Sequence, residues 1–238
     1  MGRMPSGELA DARTALHAQW DRLRSWVSDV VDPDVGGEPS VLEGWSVAEL
    51  VAHLGRAMEA LAVCVPVPDG TVPLTFGEYV GTYVARAADI AETTRELARE
   101  IADDPLGAVD RSAQAAFARL DELGPDDRVV QARRGPVLLS TMAMSRVLEL
   151  VVHADDLARS VPLGADPVEP GALRLVADAL LEIVVARGGW SLEIADARAW
   201  VRLAAGRQPY DVDVLAEALH PQYTSDAVPD LGRMLPVL

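Results

Sequence analysis

The segment Arg146-Val-Leu-Glu149-Leu-Val-Val-His153-Ala-Asp-Asp156-Leu157 places a carboxylate and an imidazole four residues apart in an apolar, helix-forming stretch. Residues at i and i+4 leave a helix on the same face. Far upstream, Ser40-Val-Leu-Glu-Gly-Trp-Ser-Val-Ala-Glu-Leu-Val-Ala-His53 carries a second imidazole in a stretch of the same kind. Two imidazoles and a carboxylate are the donor set of a catalytic metal site that keeps one position open. The fold question is therefore whether these two helices lie side by side, so that His53, Glu149 and His153 converge on one ion.

Working outward, the pattern is helical almost everywhere. Leu9, Leu16, Trp20, Leu23 and Val27 recur at helical steps, and Ser6 is a candidate cap for a helix running to about Val30. Asp32-Pro33 and Gly36-Gly37 end it. Ser46 with Glu49 forms a capping box that starts the helix carrying His53, which stops before Pro66. Thr75 with Glu78 repeats the box and predicts one helix to about Ile101. Asp104-Pro105 opens another, to Leu123. Val129–Ala132 and Val137–Leu139 flank Arg133-Arg-Gly-Pro136 as a short hairpin or loop, and Ser140 starts the long helix to about Val161.

Beyond the Pro162/Gly164/Pro167 linker, a helix is expected from Pro170 to Arg187, with Gly188-Gly189 stopping it. One strand is expected within Trp190–Ile194, then short helices from Asp196 to Ala205 and from Val212 to Leu219. Tyr223–Leu238 reads as irregular. The expected division is a helical bundle over residues 1–163 and a small appendage over 164–238, mainly α overall with at most a little β.

Composition narrows the function. Of 238 residues, 50% are hydrophobic and only 5% aromatic, so the core is built from Leu, Val and Ala. The formal net charge is -16, which opposes binding to nucleic acid or anionic membranes but leaves room for a local basic pocket. All 21 basic residues other than histidine are arginines. The single cysteine, Cys64, excludes an intramolecular disulfide. The stretch from Met1 lacks the apolar core of a signal peptide, and no apolar run is long enough to span a membrane, so a cytoplasmic protein is expected.

The candidate site residues each carry two readings. E-x-x-x-H on a helix is common, and a histidine on an apolar face is often a hydrogen-bonded core residue rather than a ligand. Asp156, three residues after His153, can orient that imidazole. Arg146, three before Glu149, can bind substrate or pair with that carboxylate. Cys64 ends an apolar helix and reads more readily as an inert buried thiol than as a nucleophile. His17 and His220 read as incidental. No Gly-rich phosphate loop and no G-x-S-x-G elbow is present.

Leu42–His53 resembles the segment that opens the metal helix in the mycothiol-dependent maleylpyruvate isomerases, and Glu149–Leu157 resembles that family's second ligand segment. The broader grouping is the DinB-like (YfiT-like) metalloenzyme superfamily. The resemblance implies an up-and-down four-helix bundle, zinc held by His53, Glu149 and His153, and an open position for the sulfur of a low-molecular-weight thiol, mycothiol in this branch. Ala199-Trp-Val-Arg-Leu-Ala-Ala-Gly-Arg207 resembles the segment bearing the family's substrate-binding arginine, which makes Arg207 its counterpart. Arg207 also reads as a helix C-terminal arginine meeting carbonyl ends. Only Ser191–Ile194 is available for a strand between Arg187 and Ala199, so the appendage is expected to be shortened relative to the family.

These readings imply an enzyme that uses a divalent metal, zinc first, to activate mycothiol against an electrophilic small molecule. S-transfer is favoured slightly over cis–trans isomerisation because of the shortened appendage. A zinc hydrolase and a non-enzymatic bundle that binds a small molecule or partner are the alternatives. Metal-bound water suits the first of these, since zinc lowers its pKa.

Overall fold

The computed structural model describes residues 5–223 and 227–238. The opening stretch read for a signal peptide and part of the Tyr223–Leu238 tail lie outside these residues, as does the side chain of Ser6. The chain is mainly helical. Its long helices include α1 (Pro5–Val30), α3 (Val47–Ala62), α6 (Pro105–Glu122) and α7 (Leu139–Ser160). A short α2 (Pro33–Gly37) lies between the first two. Helix α1 packs along α7, α3 packs along α6 and α7, and α1 also touches α6. The apolar stripe of α1 is what drives its docking, since Leu9, Leu16, Trp20, Leu23 and Val27 are all buried. On α3, Gly55 faces α6, where a Cβ would come within 3.3 Å of Val109 Cγ2, so the missing side chain sets how closely these helices approach.

The capping boxes form as the spacing predicts. Ser46 accepts from the Glu49 amide and donates its own amide to Glu49 Oε2, and Thr75 with Glu78 does the same. The stretch after Thr75 is not one helix, however. It breaks into α4 (Phe76–Gly81), a 3-10 turn (Val84–Arg86) and α5 (Ala87–Glu100). Gly81 weakens the helix at its joint, and Thr82 Oγ1 donates back to the Tyr79 carbonyl. The break lets Tyr79 and Val80 bury while α5 lies across α3.

Helix α7 also starts differently from expectation. Its cap residue is Leu138, with no side-chain bond. Asp127 satisfies the helix start from outside, accepting from the Ser140 amide at 2.8 Å and the Ser140 hydroxyl at 2.7 Å.

The hairpin is real: β2 (Val129–Ala132) pairs antiparallel with β3 (Gly135–Leu138). A two-residue β1 (Val65–Pro66), unforeseen in the sequence, extends it to three strands. In the C-terminal third, α8 (Pro170–Gly188) packs on α1 and α7 with one side and on α9 (Ala197–Ala204) with another. The expected strand is β4 (Leu192–Ile194), and it gains a partner in β5 (Leu219–Pro221), which follows α10 (Val212–Ala218) directly. Trp200 is fully buried against α8 and donates its indole N–H to the Ala177 carbonyl at 3.0 Å. Among the described residues no helix is long and apolar enough to cross a membrane.

Trp200→Ala removes both that bond and a large buried ring. Chemical denaturation should show a loss of roughly 3–5 kcal/mol.

Candidate metal centre

His53 is the seventh residue of α3, placed there by the Ser46–Glu49 cap, and it points at α7. Glu149 and His153, one turn apart on α7, meet it. One carboxylate oxygen, Glu149 Oε2, lies 3.2 Å from His53 Nε2 and 3.3 Å from His153 Nε2. The two rings are nearly perpendicular, with centroids 4.6 Å apart. Donor atoms from all three residues fall within 4.8 Å of one another. Around a tetrahedral ion with bonds of about 2.0–2.2 Å, neighbouring donors sit roughly 3.3–3.5 Å apart. The donor set and its spacing therefore fit a divalent ion such as zinc.

The remaining ring nitrogens are held so that the Nε2 atoms face the centre. His153 Nδ1 lies 3.0 Å from Asp156 Oδ2, the role the sequence suggested for that carboxylate. His53 Nδ1 lies 3.4 Å from the hydroxyl of Thr94, a fully buried residue of α5. Trp45 meets the His53 ring edge-on.

Burial acts on all the titratable groups here. It would raise the Glu149 carboxyl, but hydrogen bonds from His153 and His53 and the charge of Arg146 hold it well below the usual carboxylate range. Burial keeps the His53 imidazole below its ordinary value despite Glu149. An ionised carboxylate and a neutral imidazole are the forms a metal needs. Burial also opposes the charged form of His153, but Asp156 and Glu149 outweigh it and raise that ring. Burial would raise Asp156 as well, and His153 and Arg207 hold it down.

The two arginines singled out from the sequence are both engaged within the protein. Arg146 is 2% exposed. It donates to the Ala57 carbonyl at 2.7 Å, the Tyr83 hydroxyl at 2.9 Å and Ser145 Oγ at 3.3 Å, with Nη2 4.0 Å from Glu149 Oε1. Arg207, at the end of the α9 region, donates through Nε to both oxygens of Asp156, at 3.1 and 2.9 Å. Its Nη1 bonds the Ala205 carbonyl, as a helix-end arginine would. A chain Arg207–Asp156–His153 thus ties the C-terminal third to the centre.

The centre opens into a cavity of about 900 Å³. Its wall includes Trp45, Tyr83, Arg56 and Arg134, none of which the sequence reading selected. The consecutive arginines of the hairpin turn were the one visible signal. Cys64 does not reach it: the thiol is fully buried, and burial pushes it up to about 11. His17 stacks on Phe117 and takes no part.

Asp156→Asn loosens the imidazole that would hold the ion, so zinc affinity, measured by competition with a chromogenic chelator, should be about ten- to a hundredfold lower than in the parent protein. Cys64 stays a thiol at every pH below its raised value. Native protein at pH 8 should therefore resist iodoacetamide, and protein unfolded in guanidinium should alkylate at once.

The family model described as the mycothiol maleylpyruvate isomerase N-terminal domain matches residues 16–158. That span contains all three candidate ligands and Asp156. A crystal structure of the mycothiol-dependent maleylpyruvate isomerase superposes with a TM-score of 0.54 at 19% identity, covering 96% of this chain and 96% of that one. A histidine-to-alanine mutant of the mycothiol-dependent maleylpyruvate isomerase gives a TM-score of 0.53 at 18% identity, with the same coverage. At this identity the likeness is one of fold. The alignment extends into the C-terminal third as well. No curated protein matches the chain. With more than half its length matched, the chain belongs to the mycothiol maleylpyruvate isomerase N-terminal domain family.

Proposed function

We propose that the protein is a metal-dependent, mycothiol-using enzyme of the cytoplasm that acts on a small electrophilic acid, with maleylpyruvate-type cis–trans isomerisation as its reaction. The observation that carries this reading is the meeting of His53, Glu149 and His153 on the floor of a cavity of about 900 Å³. The expected slight preference for S-transfer has no support among the relatives, whose descriptions all name maleylpyruvate isomerase, and isomerisation is preferred on that ground. Isomerisation of this kind needs a thiol that adds to a cis double bond, rotation about the resulting single bond, and departure of the thiol.

His53 Nε2, His153 Nε2 and Glu149 would hold the ion, which when bound supplies charge to keep a thiol sulfur anionic near neutral pH. Three protein donors leave a position for that sulfur. The protein's own residues prepare this site. Arg146 fixes Glu149 by charge and fixes Tyr83 by a hydrogen bond. Asp156 orients His153 and is itself clamped by Arg207. In this reading Arg146 and Arg207 act on substrate through the side chains they position. Trp45 beside His53 helps exclude water from the floor.

The test is zinc-loaded protein with mycothiol and maleylpyruvate, followed by loss of the cis diketo-acid absorbance. Turnover should need both metal and thiol, and a chelator should abolish it. His153→Ala should lose stoichiometric zinc and all activity while keeping its helical circular dichroism. Turnover without thiol would overturn the reading.

A further inference from the structure

Charge in the cavity runs against the charge of the chain. Seven of the 21 arginines line it, against five of the 37 acidic residues, in a protein of net charge -16. Arg146 and Arg207 are held by internal partners, as described. The other end of the wall differs. Arg56 projects from α3, and Arg133 and Arg134 form the two-residue turn between β2 and β3, where Ala132 pairs with Gly135. Such turns ordinarily take Gly, Asn or Asp. Here the positive φ falls on Gly135 instead, at 135°, and both turn positions are given to arginine.

All three line the cavity. Burial, and then the neighbouring charge of Arg133 and that of Arg134, hold the Arg56 guanidinium below its usual range, with Glu59 and Glu96 acting the other way. Among the described residues Arg133 has a carboxylate partner, Glu59 at 2.9 Å, while Arg56 and Arg134 form no ion pair. Arg134 is half-buried and lies over the Tyr83 ring, 4.1 Å from its centroid. Stacking fixes the guanidinium plane and leaves its N–H edges for another group. The Tyr83 hydroxyl accepts from Arg146, which neighbours Glu149, so this cluster and the metal centre share one wall.

We propose that Arg56 and Arg134, with Arg133 at the rim, form the anion-recognition subsite that holds the carboxylate of the electrophile. The inference rests on the functional reading above for the identity of that electrophile. Like charges gathered in a partly desolvated wall repel one another unless an anion joins them. A carboxylate meets a guanidinium edge by two parallel hydrogen bonds, a geometry that also fixes which end of the substrate faces the ion. Arg56 and Arg134 thereby become specificity-determining residues, and Arg146 and Arg207 are positioning residues.

The probe is maleate, a small cis dicarboxylate, titrated calorimetrically into zinc-loaded full-length protein without thiol. Wild type should bind it, more weakly at high salt. Arg134→Ala and Arg56→Ala should each raise Kd at least about tenfold, with zinc content and thermal melting unchanged. Arg134→Lys should recover part of the loss and Arg134→Gln none. In turnover with maleylpyruvate, KM for that acid should rise while KM for mycothiol stays fixed.

No maleate binding by wild type, an unchanged Kd in both alanine variants, or a rise in the thiol KM alone would overturn the subsite. Arginine-dependent maleate binding in a protein without thiol-dependent turnover would sustain the subsite and sink the functional reading. Turnover with an unaltered Kd would do the reverse.

Discussion

A carboxylate with little access to solvent is the constraint on which the rest of this structure depends. Glu149 sits on α7, a helix buried along most of its length, and its side chain is only 12% exposed. An ion in that position is costly unless charges and hydrogen-bond donors surround it. They come from three sources: His153 and Arg146 on the same helix and His53 on α3. The first two follow from spacing along α7. The third requires α3 to lie beside α7 in one register, close enough for the Ala57 carbonyl of α3 to accept from Arg146 of α7. The helix packing and the donor cluster are therefore one solution to one electrostatic problem.

The charge balance of the cluster points to its chemistry. Glu149 and Asp156 contribute two negative charges, and Arg146 and Arg207 contribute two positive ones. With both imidazoles in the neutral form that a metal needs, the set is close to balanced. A divalent cation then leaves an excess of positive charge in a buried place, which an anionic sulfur and an acidic substrate would offset. A water-derived hydroxide would offset part of it too, but it gives no reason for the additional arginines along the wall. The hairpin cluster accounts for them.

Much of this was legible in the sequence, for local reasons. Capping boxes at Ser46 and Thr75, the stripe on α1 and the i,i+4 pair Glu149–His153 are all decided within a few turns of one helix. What escaped was non-local. The cap on α7 comes from Asp127, on the far side of the hairpin. Strands β1 and β5 are two and three residues long and exist only because partners are present. The break after Gly81 reflects the competing demands of burying Tyr79 and laying α5 across α3. The arginines are the clearest case: whether a guanidinium faces substrate or protein depends on partners far along the chain, as with Arg146 and the Ala57 carbonyl or Arg207 and Asp156.

That distinction matters for how an acidic protein recognises an acid. At physiological ionic strength charges more than about 8 Å apart in solvent are largely screened. The net charge of -16 therefore governs solubility and distant encounters more than events inside the cavity. Within a partly enclosed wall the nearest side chains dominate. An arginine already bound to an internal carboxylate offers little extra field there, since its charge is offset at close range. Arg207 clamped on Asp156 is in that position, whereas Arg134 stacked on a neutral ring is not. Recognition should then follow Arg56 on α3 and Arg134 on the hairpin, which form no ion pair among the described residues, rather than Arg146 and Arg207, whose charges are met by Glu149 and Asp156.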